Sequence, residues 1–154
     1  MGILSSVFRP KRWVSAEDEQ LITEAIRAGE KRTSGEIRVY IEGRCRFVDP
    51  LDRAAEIFGA LKMYETQQRN GVLVYVAVKD RQLAVFADDG IHRKAGPQFW
   101  NDTVKAMLTH FNRQQYGAGI AGIVSQVGEA LKTHFPYDAG TDKNELPDDI
   151  VFGK

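Results

Sequence analysis

Val72-Leu-Val-Tyr-Val-Ala-Val78-Lys-Asp-Arg-Gln82-Leu-Ala-Val-Phe-Ala87 is the stretch on which the fold turns. Residues 72–78 are an almost unbroken apolar run rich in β-branched side chains, which predicts a strand covered on both faces. Lys79-Asp80-Arg81-Gln82 is a tight polar turn, so Leu83-Ala-Val-Phe-Ala87 returns antiparallel as the second arm of a hairpin. Upstream, Glu36-Ile-Arg-Val-Tyr-Ile-Glu42 alternates. Ile37, Val39 and Ile41 point one way and Glu36, Arg38, Tyr40 and Glu42 the other, the pattern of a half-buried strand. Between these strands, Asp49-Pro50 places a cap oxygen before a pre-set φ, and Leu51, Ala54, Ala55, Phe58 and Leu61 carry a helix over 50–66. Strand, helix and strand together predict a right-handed βαβ crossover.

Working outward, Ser15 reads as a helix N-cap with Asp18 three residues on. Leu21, Ile22, Ala25, Ile26 and Gly29 then hold one face of a helix over 16–32. Phe99, Trp100, Val104, Met107, Leu108 and Phe111 predict a helix over 97–113; Ile120, Ile123, Val124, Val127 and Leu131 predict another over 117–135. The order is α-β-α-β-β-α-α, an α/β class fold with a small mixed sheet. The 154 residues suit one core: a basic-aromatic arm over 1–14, a folded body over 15–137, and an acidic segment over 138–154. That segment ends in Ile150-Val-Phe152, an apolar hook placed to dock on the body.

Charge and composition exclude several functions. Twenty-one basic and 21 acidic residues cancel, so no global field draws the chain to nucleic acid. Cys45 is the only cysteine, which excludes an internal disulfide framework and a Cys-rich zinc site. No run approaches the ~20 apolar residues of a transmembrane segment. The charges near the start follow a short apolar stretch instead of preceding it, unlike a secretory signal, so the expected location is cytoplasmic. Gly2 and Ser6 also fit the loose myristoylation pattern, which matters only in a cell holding the transferase.

Gly117-Ala-Gly-Ile-Ala-Gly122 matches the dinucleotide fingerprint by letter. That mechanism needs a strand before the glycines, and here a helix precedes them, so close helix packing is the reading. Cys45 lies between Arg44 and Arg46, yet it has neither a Cys-x5-Arg loop nor a recognisable base and reads as a bystander. His92, His110 and His134 are too widely spaced to form a ligand pair.

Asp88-Asp89-Gly90 ends the third strand with two hard oxygen donors on a loop held by the sheet. Ca2+ and Mg2+ take such ligands, and Ca2+ wants ~6–8 oxygens, so another loop must contribute. Asp49 and Asp52 open the second helix. Because the third strand runs antiparallel, its end lies nearer Ser34-Gly35-Glu36 and Asn70-Gly71. Glu36 and Asn70 therefore stand beside Asp49 and Asp52 as metal candidates with Asp88 and Asp89, the choice between the two pairs left open.

Ser34-Gly-Glu-Ile37, Asn70-Gly-Val-Leu73, Asp88-x-Gly-Ile91, Tyr116-Gly-x-Gly-Ile120 and the closing Leu146-Pro-Asp-Asp-Ile-x-Phe-Gly153 occur in an order that resembles the TPM domain, over about residues 15–153. The likeness is to its short bacterial members. It implies an α/β/α sandwich, divalent-cation binding through acidic loop residues with Ca2+ foremost, and an acid-phosphatase activity reported for some members. Asp88, Asn70-Gly71 and Ser34-Gly35-Glu36 match motif positions. Asp89 falls at a variable one, so its ligand role rests on chemistry alone.

Two functions follow as expectations. The first is a non-catalytic interaction or regulatory module whose bound cation orders loops for a protein partner, membrane-associated or otherwise. The alternative is a metal-dependent acid phosphatase acting on phosphomonoesters, for which Arg69, Arg81 and Arg93 are candidate phosphate binders but no nucleophile is evident. Monomer and arm-exchanged dimer are both open.

Overall fold

The computed structural model describes residues 13–112, 115–138 and 150–153. The elements are α1 (Ala16–Glu30), β1 (Glu36–Glu42), α2 (Pro50–Ala60), β2 (Gly71–Ala77), β3 (Gln82–Ala87), α3 (Asp89–Ala95), α4 (Pro97–Asn112), α5 (Tyr116–His134) and β4 (Val151–Phe152). The sheet order is β3-β2-β1-β4, with β1 parallel to β2 and β3 antiparallel to β2.

Alternation along the strands sorts the core into two layers. Ile37, Val39 and Ile41, their partners Val72, Val74 and Val76, and Leu83, Val85 and Ala87 pack against Ile22 and Ile26 of α1, Met107 of α4 and Ile120, Val124 and Val127 of α5. Leu73, Tyr75, Ala77 and Ala84 face the opposite way onto Ala54, Ile57 and Phe58 of α2. This is the α/β/α sandwich that the resemblance implied. The unbroken apolar character of β2 follows from its place: flanked by strands and covered on both faces, it has no solvent side.

The caps read from sequence form as expected. The Ser15 side chain accepts from the Asp18 amide and Asp49 from the Leu51 amide. The apolar hook docks as β4, with Val151 beside Tyr40 and Phe152 beside Ile41. The rest of the acidic segment after Asp138, residues 139–149, lies outside the described residues, as do residues 1–12 of the arm.

Three local expectations are corrected. Helix α2 stops at Ala60, not 66, because Lys62 adopts a left-handed φ of 57° that no α-helix continues through. Asp88-Asp89-Gly90 is not a plain loop: Asp88 caps α3, whose acidic first turn and basic last turn (His92, Arg93, Lys94) suit the helix dipole before Gly96-Pro97 stops it. Strand β1 is buried on both faces, its polar side lying under α2, where Arg53 neutralises Glu42.

Candidate functional site

The two ends of the mixed sheet differ in their polar groups. Where β1 and β2 begin, β3 finishes, and residues 34–36, 68–71 and 88–90 are laced together by backbone. The Glu36 amide donates to the Asn70 carbonyl at 3.2 Å, the Asp88 amide to Gly71 at 2.9 Å, and the Gly90 amide to Arg69 at 2.9 Å. Glu36, Asn70 and Asp88 are 2%, 1% and 4% exposed, an unusual burial for three polar side chains at a sheet end. Asp89 is exposed beside them. The topology places Glu36 and Asn70 at the same sheet end as Asp88, and Asp49 and Asp52 at the opposite end.

The Arg69 guanidinium donates from Nε and Nη2 to the two Asp88 oxygens, both at 2.7 Å. Asp88 Oδ1 also accepts the Asp89 amide at 2.8 Å, the cap of α3. The Thr66 hydroxyl accepts the Asn70 amide at 3.2 Å and so fixes the turn that carries Asn70. The Gln68 and Asn70 side-chain amides reach the Ser34 hydroxyl at 3.4 and 3.5 Å. Asn70 Oδ1 is buried with no hydrogen-bond partner among the described residues. Among those residues, no three His, Cys, Asp or Glu side chains stand together in a group able to hold a metal. A cation at this end would therefore draw on amide and backbone oxygens beside the carboxylates. An amide oxygen without a donor fits such hard-cation chemistry, whereas it suits a thiophilic metal poorly.

The opposite end carries Glu42, with both oxygens held by Arg53 at 2.9 Å and one also accepting the Tyr75 hydroxyl. Burial pushes the Tyr75 hydroxyl well above the usual phenol range, and its bond to Glu42 adds to the rise. The bond to Glu42 likewise raises the Arg53 guanidinium against the desolvation that lowers it. This network is internally satisfied. Asp49 and Asp52 are exposed at the start of α2 and, among the described residues, belong to no group of three or more side chains able to hold a metal. Arg44 spends its charge on Asp80 at 3.0 Å, and Cys45 turns its thiol to the Phe47 carbonyl.

The glycine motif sits inside α5 with a helix before it, as packing requires. A Cβ on Gly117 would meet the Asp18 carboxylate at 2.2 Å, and one on Gly119 would meet His110 Cβ at 2.8 Å. Sequence reasoning missed two features: the Glu42–Arg53–Tyr75 network and the role of Arg69. Arg69 precedes an Asn-Gly turn at the sheet end that also holds Asp88, and that placement was its only signal.

The TPM domain family model matches residues 7–130. The NMR structure of BA42 protein from the psychrophilic bacterium Bizionia argentinensis superposes with a TM-score of 0.83 at 38% identity, over 94% of this chain and 99% of that one. The solution structure of the N-terminal domain of cg2496 protein from Corynebacterium glutamicum shares the fold, with a TM-score of 0.58 at 16% identity over 77% of this chain and 74% of that one. No curated protein matches significantly in sequence. No helix among the described residues is long and apolar enough to cross a membrane.

Proposed function

Since the chain belongs to the TPM domain family, we propose that it is a non-catalytic module that binds a divalent cation, Ca2+ in preference to Mg2+, and that the ion orders the loops offered to a protein partner. One observation carries this: the buried Asn70 amide oxygen has no hydrogen-bond partner among the described residues, at the junction of the three loop segments. A buried oxygen in that state costs about 1–3 kcal/mol. A hard cation satisfies it without needing a proton.

Asn70, Glu36, Asp88 and Asp89 would hold the ion, with backbone carbonyls and water completing the ~6–8 oxygens Ca2+ takes. The ion supplies positive charge between segments 34–36, 68–71 and 88–90, which are remote in sequence. Tying them together stabilises the folded state by mass action and fixes the shape of this surface.

A calcium titration of metal-stripped protein, followed by amide resonances, tests the reading. Saturable shifts centred on Glu36, Asn70 and Asp88 support it; no shifts at millimolar calcium overturn it. A second reading, metal-dependent hydrolysis of phosphomonoesters, is favoured by the family model's name, which couples the TPM domain to phosphatases. Hydrolysis by the wild type that disappears in Asp88→Ala would replace the first reading with this one.

A further inference from the structure

We propose that Arg69 is a tethered competitor for the cation site: its guanidinium occupies the Asp88 carboxylate that the ion needs, so binding requires this side chain to swing away. The inference rests on the cation reading above.

Three features of the geometry carry it. First, the pair is bidentate, with both Asp88 oxygens engaged at 2.7 Å and Oδ1 further occupied by the Asp89 amide. A carboxylate so engaged cannot present both oxygens to an ion while Arg69 stays in place. Second, the two partners differ in freedom. Asp88 is 4% exposed and locked as the cap of α3, whereas the Arg69 side chain is 51% exposed and packs over the carboxylate from the solvent side. Third, the Arg69 backbone is fixed in a left-handed conformation, φ 51°, by the Arg69 amide donating to Thr66 and the Gly90 amide donating to Arg69. The guanidinium therefore cannot diffuse off; it moves on a short pivot and returns at high effective concentration.

The displaced guanidinium extends into solvent, where half of the Arg69 side chain already lies. Arg69 neutralises the buried Asp88 when no ion is bound. Folding does not then depend on the ion, unlike small metal domains that collapse without it. It also sets the calcium threshold above that of an uncovered site.

Calorimetric calcium titrations of metal-stripped wild type and Arg69→Met test this. Methionine keeps an apolar stem and loses the charge and both bonds. The expected result is binding at least tenfold tighter in Arg69→Met. Arg93→Met, which removes an equal charge from exposed α3 without touching Asp88, should change affinity less than twofold. Wild-type binding that is unchanged or weakened in Arg69→Met overturns the competition and leaves the cation reading standing. Absence of binding in both proteins overturns the two together. A wild-type measurement is independent of variant folding: the Arg69 Nε–Hε resonance should lose its hydrogen-bonded shift as calcium saturates, and an unmoved resonance at saturation counts against the proposal.

Discussion

The Gly90 amide donates to the Arg69 carbonyl oxygen at 2.9 Å, and a Cβ on Gly90 would stand 2.6 Å from that same oxygen. The Gln68 carbonyl would be closer still, at 2.2 Å. Both obstacles are backbone atoms in the turn that carries Asn70, so they cannot swing aside as a side-chain tip would. Gly90→Ala should destabilise the fold by about 1–3 kcal/mol, the usual cost of overpacking. A lowered urea midpoint with an unchanged slope checks this. The amide resonances of residues 68–71 should move as well, because the first turn of α3 is pushed off them.

Asn70→Ala and Asp49→Ala separate the two ends of the sheet. Asn70→Ala removes a buried oxygen with no hydrogen-bond partner, a gain, but also the Nδ2 bond to Ser34 and the side chain's packing, losses of similar size, so the folding free energy should change by less than about 1 kcal/mol. Calcium affinity should fall about tenfold, or ~1.4 kcal/mol. Asp49 caps α2 through the Leu51 amide, and its loss should cost about 1 kcal/mol of stability. Calcium affinity should be untouched by that change. Paired denaturation and calorimetry read both quantities, and the opposite pattern would move the site to the start of α2.

Tyr75→Phe reports on the satisfied end. The Tyr75 hydroxyl is buried and donates to Glu42, and its folded pKa lies above the ordinary phenol value of ~10. The folded state thus holds this proton more tightly than the unfolded chain does. Its contribution is fully present below pH ~10 and is lost as pH rises through the folded pKa. Wild type should exceed Tyr75→Phe by about 1–2 kcal/mol at neutral pH, since Arg53 still engages Glu42. The gap should narrow above pH 10, in denaturation curves recorded from pH 7 to 11.

The fold was legible where local pattern and burial agree. The apolar run of β2 required cover on both faces, and the antiparallel β3 put Asp88 at the same end as Glu36 and Asn70. The misread elements are those decided by tertiary context. Glu36, Arg38 and Glu42 looked solvent-facing because alternation reports polarity, and polarity cannot reveal that α2 brings Arg53 over Glu42. The seven residues of α3 are too few for periodicity to register, although their cap and charge order were present. Arg69 was read only as a candidate phosphate binder and not as the partner of Asp88, because the pair closes across a hairpin and only the Asn-Gly turn that follows Arg69 places it at that end.

The Gly117-Ala-Gly-Ile-Ala-Gly122 motif permits a test in which packing and nucleotide binding predict different things. For packing, each glycine answers to its own surroundings. Gly119 faces His110 Cβ at 2.8 Å, so Gly119→Ala should destabilise the α4–α5 contact by about 1 kcal/mol or more. Gly122 has nothing within 4 Å of a built Cβ and lies on the exposed side of α5. There alanine only restricts the unfolded chain and favours helix, so Gly122→Ala should stabilise by about 0.5–1 kcal/mol. In a chain of this size each kcal/mol corresponds to about 2–4 °C in melting temperature, which places the two variants on opposite sides of the wild type. NAD should shift none of the three. A dinucleotide loop would instead give a saturable NAD-dependent rise in the wild type that is lost in Gly119→Ala but kept in Gly122→Ala, since the third position of the fingerprint accepts alanine, and that result would overturn the packing account.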